Sequence, residues 1–143
     1  MVSLARYREA ALPALALALL ALLFTSVVAA AQGLPAGSRW ENQRGSYLFV
    51  DASGADGSFS GRFWNRAPGY GCHDTFAAAG RVIGNRVRFV VDFRNAVMDC
   101  RTVTVWTGTV RGRVLSTKWR LVYRPRPPAP PQILSGTDEF QRR

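Results

Sequence analysis

Beyond Gln32 the hydrophobic and polar positions alternate, and no long stretch repeats with a helical period. From Val87 to Phe93, the residues Val87, Phe89, Val91 and Phe93 share one face, while Arg88 and Asp92 take the other. A period of two with the apolar residues on one side is the mark of a half-buried strand. The stretch from Leu115 to Tyr123 repeats it, with Leu115, Thr117, Trp119, Leu121 and Tyr123 opposite Ser116, Lys118 and Arg120. Thr102 to Thr107 is β-branched and aromatic, a composition that suits a pleated surface. Turn signals fall between these runs, at Gln43-Arg44-Gly45 and from Ser53 to Gly57. Gly84-Asn85 and Arg111-Gly112 predict tight hairpins, because Gly and Asn accept positive φ. The longest irregular stretches are 66–74 and 125–131, and the second is Pro-rich, hence stiff and extended. The pattern predicts eight strands, over approximately 37–42, 46–52, 57–64, 75–83, 86–94, 101–111, 113–124 and 132–141. Short strands at regular spacing make an all-β sandwich or barrel, and periodicity alone does not choose between them. Short hairpin links favour an up-and-down order. An eight-stranded antiparallel barrel would remove its own sheet edges and hold one small ligand in its mouth.

The first residues follow a different plan. Arg6 and Arg8 precede an Ala/Leu run from Ala10 to Phe24, and Ala29, Ala30 and Ala31 precede Gln32. A charged start, an apolar core and small residues at the end describe a secretory signal peptide. A retained anchor is the rival, but a span needs ~20 apolar residues and Pro13 interrupts this run. The expected organisation is therefore a cleaved signal peptide over 1–31 and one barrel domain over 32–143. The product would be secreted or periplasmic, with no membrane association once the signal is removed.

Export changes the reading of Cys72 and Cys100, the chain's two cysteines. An even count in an oxidising compartment favours a disulfide over two buried thiols. No CxxC or Cys/His spacing accompanies His73, the single histidine, so no metal site is expected. The formal charge is +10. Such a charge raises non-specific affinity for anionic polymers, but the arginines are scattered with no dense basic run. A soluble basic surface explains them as well, and no specific nucleic-acid site is expected.

The order of short motifs carries a resemblance. Trp40-Glu41-Asn42-Gln43-Arg44-Gly45-Ser46 resembles the W-x-N-x-x-G-S opening of the avidin/streptavidin barrel, and Asp56 to Gly61 its next hairpin. Thr104-Val105-Trp106-Thr107-Gly108 is similar to its T-x-W-[ST]-G strand, Thr117-Lys118-Trp119 to T-x-W, and Gly136 to Phe140 to the closing G-x-D-x-F. The loop from Asn65 to Cys72, with Cys100 ahead of the T-x-W strand, resembles the dimeric, rhizavidin-like branch of that family. The segments stand in family order across nearly all of 32–143. The resemblance implies an all-β, eight-stranded antiparallel up-and-down barrel that binds biotin without covalent chemistry, so no enzyme and no cofactor beyond the bound ligand.

It also implies roles. Asn42 and Ser46 would donate to the ureido oxygen of biotin, and Asp138 and Asn65 would accept from its N–H groups. Thr104 would meet the sulfur. Trp106, Trp119 and Phe93 would wall the bicyclic ring, and Thr102 with the backbone of 66–72 would face the carboxylate tail. Alternation supports a shared face for Thr102, Thr104 and Trp106, for Phe63 and Asn65, and for Asp138 and Phe140. Each residue also has an ordinary explanation. The tryptophans and Phe93 serve equally as core, and Asn42 and Ser46 as turn residues. Thr102 and Thr104 serve as strand formers, and Asp138 as the partner of an arginine.

Several positions depart from the family pattern. Phe63 stands where most relatives carry a Tyr that donates to the ureido oxygen. Phe93 replaces a pocket Trp, and Arg44 occupies a turn position that is usually apolar or small. The segment 127–131 lacks the Trp that tetrameric relatives lend one another, which suits a homodimer. The expectation is weaker biotin binding than in typical relatives. The alternatives are a degraded site for another small apolar or ureido ligand, and a basic secreted protein that binds anionic polymers.

Overall fold

The computed structural model describes residues 33–69 and 71–143; the expected signal peptide, 1–31, lies outside them. The strands are β1 (Arg39–Asn42), β2 (Tyr47–Ser53), β3 (Ser58–Trp64), β4 (Thr75–Ile83), β5 (Arg86–Arg94), β6 (Asp99–Arg111), β7 (Val114–Tyr123) and β8 (Gln132–Arg142). Each pairs antiparallel with its successor, and β8 returns to β1 through Asn42↔Phe140 and Trp40↔Arg142. The up-and-down barrel expected from the alternation is therefore closed, and no helix occurs among the described residues.

Alternation translates directly into an inside and an outside. On β5 the inward Val87, Phe89, Val91 and Phe93 are all buried, while Arg86, Arg88, Asp92 and Arg94 are exposed. Gly61 sits opposite a bulge in β2, between Val50 and Ala52. A Cβ there would lie 1.8 Å from the Phe49 carbonyl oxygen, so only Gly lets β2 and β3 approach at that point. At the far end the hairpins are short: Gly84 and Gly112 open two-residue turns with φ of 59° and 58°. The second turn is Gly112-Arg113, one residue later than the sequence pattern places it.

The other end carries the longer connections, 65–74 and 124–131, together with the turn 43–46 and the short link 95–98. Cys72 and Cys100 form a disulfide there, with Cα atoms 6.1 Å apart. Cys100 belongs to β6, not to a loop as its surroundings indicate from sequence. The cause is local. Asn95 Oδ1 accepts from the backbone N–H groups of Val97 and Met98, which turns the chain early enough for Asp99 to pair with Arg94. Asn95 Nδ2 also donates to Asp74 Oδ2 at 2.8 Å, joining the link 95–98 to the connection 65–74 beside the disulfide. That bond, helped by the Thr75 backbone N–H, holds the Asp74 carboxyl below the usual carboxylate range.

Candidate ligand-binding site

The interior changes character along its axis. The half toward the short hairpins is apolar and filled by Leu34, Trp40, Leu48, Val50, Phe59, Val82, Val87, Val110, Leu115 and Phe140. An aromatic layer follows. Phe89 lies flat on Trp106, with centroids 4.8 Å apart and planes within 5°. Phe63 packs on Trp106 at 5.1 Å and meets Phe93 edge-on at 6.0 Å, while Phe76 supports Phe93 from behind at 5.0 Å. Such pairs add about 0.5–1.5 kcal/mol each beyond burial, enough to fix the rings rather than merely fill space. Above this layer the inward positions turn polar: Asn42, Ser46, Asn65, Thr104 and Asp138.

All of these polar groups except Thr104 are held by hydrogen bonds. Asn42 ends β1, and its Oδ1 accepts from the backbone N–H groups of Arg44 at 3.0 Å and Ser46 at 2.9 Å. The turn role that sequence allows for Asn42 is thus real, and it fixes the amide so that Nδ2 keeps its donors. Ser46 Oγ accepts from the Arg66 backbone N–H at 2.9 Å and lies 3.5 Å from Asn65 Oδ1. Asn65 Nδ2 donates to the Cys72 carbonyl at 2.6 Å, and its Oδ1 accepts from Ala67 N–H at 3.2 Å. The disulfide loop therefore orients Asn65. Thr102 sits nearer the rim, with its hydroxyl donating to the Cys100 carbonyl at 2.9 Å.

Asp138 is the centre of the arrangement, with a side chain 4% exposed. Its Oδ2 accepts from Trp106 Nε1 at 2.9 Å. Its Oδ1 accepts from Gln43 Nε2 at 3.1 Å and Arg44 Nε at 3.2 Å. A buried carboxylate needs such donors, because an isolated buried charge is very unfavourable. Trp119 is half-buried and packs against β8 at Gly136, where a Cβ would stand 2.5 Å from the ring. Among the described residues, the buried side-chain polar atoms without a partner are Thr104 Oγ1 and Trp119 Nε1. Both belong to this region, and unpaired buried polar groups elsewhere in proteins are rare.

All ten residues singled out from the sequence, Asn42, Ser46, Phe63, Asn65, Phe93, Thr102, Thr104, Trp106, Trp119 and Asp138, gather at this one end. Sequence reasoning missed four contributors. Phe89 stacks beneath Trp106, and Phe76 backs Phe93. Gln43 joins the β1–β2 turn to β8 by donating to the Thr137 carbonyl and accepting from Glu139 N–H, beyond the last β1–β8 pair. Arg44 reaches in from the rim, its guanidinium 5.8 Å from the Trp119 ring. Gln43 had no sequence signal beyond its place between Asn42 and Ser46, and Arg44 stood out only as a departure from the family pattern, without a partner.

Comparison with known proteins decides the family. The model of the Avidin family matches residues 30–143. The chain belongs to the avidin family. Among its avidin relatives, Afifavidin of Afifella pfennigii is 37% identical over 118 residues, which is 78% of this chain and 72% of that protein. The crystal structure of short afifavidin in complex with biotin superposes with a TM-score of 0.70 at 33% identity, covering 79% of this chain and 93% of that one. The rhizavidin–biotin complex gives 0.69 at 34% identity, covering 76% and 92%. The avidin-like features thus extend through the barrel and its connections.

Proposed function

We propose that the protein captures biotin non-covalently in the polar end of its barrel. The observation that carries this reading is the buried Asp138 carboxylate beside two unpartnered buried groups, Thr104 Oγ1 and Trp119 Nε1, above an aromatic floor. Few convergent polar groups in an apolar setting are what a small-ligand site requires. The ureido oxygen receives Asn42 Nδ2 and the Ser46 hydroxyl. Its N–H groups donate to Asp138 and to Asn65 Oδ1. Thr104 Oγ1 finds the thioether sulfur, and Trp106, Trp119 and Phe93 flank the ring. The tail leaves past Thr102, whose hydroxyl must turn from the Cys100 carbonyl to donate to it. That short afifavidin and rhizavidin, both similar in structure, were solved as biotin complexes supports biotin as the ligand. With Phe63 in place of a phenol the ureido oxygen keeps two protein donors, so binding is weaker than in relatives with the Tyr.

The site serves binding alone. It contains no nucleophile–base pair, and His73 is exposed with its ring nitrogen 2.8 Å from the Ala67 carbonyl oxygen. We further infer cleavage after Ala31 and export to the periplasm or medium, a compartment in which the Cys72–Cys100 bridge persists. A homodimer is favoured by an outward apolar row in register across three strands, Val103↔Val122 and Val122↔Ile133, with Ile133 57% exposed.

Calorimetric titration tests the reading, with biotin beside a heparin-like polymer at low and high salt. Biotin binding should persist in high salt while polymer binding collapses, because phosphate- or sulfate-type contacts depend on counterion release. Asp138→Ala should weaken biotin by more than about tenfold, the scale of a charge-assisted bond to a buried N–H. Salt-resistant biotin binding that ignores this change would remove Asp138 from the site.

A further inference from the structure

We propose, resting on the biotin reading, that Arg44 is the specificity-determining residue of the site. By pairing with Asp138 it reserves the head end for neutral cyclic ureas against cationic cyclic guanidines of the same shape. Trp106 and Gln43 donate to the Asp138 carboxylate but leave its charge in place. Arg44 is the cation that meets it, through Nε at 3.2 Å. The two side chains are unequally buried, 43% exposed for Arg44 and 4% for Asp138, so the arginine reaches from the rim to an acid that water hardly touches. Its guanidinium stays near the Trp119 ring at 5.8 Å, the ring that flanks the ligand. The head end therefore holds one negative and one positive charge. A carboxylate has about four acceptor positions, and three are filled, so one remains for a ligand N–H without displacing Arg44.

Charge balance determines what fits. A neutral urea donates to the remaining acceptor position and meets no uncompensated charge. A cyclic guanidinium keeps the two ring N–H groups but replaces the oxygen by a further donor, which Asn42 and Ser46 oppose whatever stands at position 44, and it brings a positive charge beside the Arg44 guanidinium, where like charges repel. Without Arg44 that repulsion is lost and the preference for the urea narrows, because a buried carboxylate left without a cation attracts one. Arg44 is not needed simply to close the barrel at this point, since Gln43 already joins the turn to β8 at Thr137 and Glu139.

The test uses the full chain, Arg44→Leu and Arg44→Lys, each titrated with biotin and with its cyclic guanidine analogue, 2-iminobiotin, at a pH where the analogue is protonated. Arg44→Leu should raise the affinity for the analogue relative to biotin by about tenfold or more, the expected scale for removing one like charge at close range. Arg44→Lys should keep the parent ratio to within about threefold, because the charge remains. A purely structural arginine would move both ligands together. An unchanged ratio in Arg44→Leu, with biotin still bound, overturns this assignment alone. Failure of the unaltered chain to bind biotin overturns the site reading and this assignment with it.

Discussion

Phe63→Tyr offers the sharpest test of how the site addresses its ligand. Phe63 is 2% exposed, and its ring is fixed between Trp106 at 5.1 Å and Phe93 at 6.0 Å. A tyrosine keeps these ring contacts, and on the biotin reading its hydroxyl is aimed at the ureido oxygen. With biotin bound, that hydroxyl becomes a third donor to the ureido oxygen, worth about 1–2 kcal/mol, or roughly five- to thirtyfold in affinity. Without ligand, the same hydroxyl is a buried polar group lacking a partner, which costs about 1–3 kcal/mol. The two effects have opposite signs, so the variant should melt lower than the parent alone yet bind biotin more tightly. Calorimetry supplies the affinity, and thermal melts with and without biotin supply both signs. The double-mutant partner must respect the geometry of Asn42. Because its Oδ1 holds the turn at Arg44 and Ser46, Asn42→Ala would disturb the loop, whereas Asn42→Asp keeps both acceptor bonds and removes the donor. In the Asn42→Asp background the gain from Phe63→Tyr should shrink, since donors to one oxygen reinforce each other. Unchanged or weaker binding by an intact Phe63→Tyr protein would mean that position 63 does not face the ureido oxygen.

Further outcomes follow from the same framework. Gly136→Ala should weaken biotin by about tenfold while leaving the barrel folded, because a Cβ 2.5 Å from the Trp119 ring must tilt that wall; titration and circular dichroism together check it. Reduction of the Cys72–Cys100 bridge should weaken binding more than it lowers the melting temperature of the barrel, because the loop that orients Asn65 then adds its ordering cost to binding. Mass mapping of exported protein under non-reducing conditions should find no free thiol. Light scattering at micromolar concentration should give a dimer, and Ile133→Glu should shift it toward monomer by placing a charge in the outward apolar row.

How legible this was in the sequence depends on what each strand does. β5 and β7 were plain because one face of each is covered and the other wet, which forces alternation into the residues. β8 is the instructive contrast. Its inward positions, Leu134, Gly136, Asp138 and Phe140, run from apolar through Gly to acid to aromatic, so the period of two is blurred where the strand lines a site rather than a core. The pattern placed a strand over 132–141, and the motif was what marked it as lining a site. Phe89 and Phe76 were readable as inward residues, but nothing local distinguishes a ring that supports the site from one that fills the core. Gln43 and Arg44 were hidden for another reason. Their partner lies 94 or 95 residues away, across the seam where β1 meets β8, and only closure of the barrel brings them together.

That closure also explains why one small barrel can hold both a core and a polar site. Along β6 the inward residues pass from Thr102 and Thr104 through Trp106 and Gly108 to Val110, and from Asn65, just past β3, the chain runs inward through Phe63 to Phe59. The Phe63–Trp106–Phe89 stack marks this boundary on β3, β5 and β6, while β4 and β5 keep apolar inward faces along their whole length. Below that stack apolar burial supplies the folding free energy, at about 1.5–3 kcal/mol per large side chain. Above it Asn42, Ser46, Asn65 and Asp138 are held by turns, loops and neighbouring side chains, so their geometry does not depend on the ligand to form. Trp106 belongs to both halves: its face lies on Phe89 and its Nε1 reaches Asp138. A change in core packing beneath Trp106 is therefore transmitted to the acid at the head of the site. Loosening Phe89 should disturb binding before it unfolds the barrel, even though that side chain lies below the ligand.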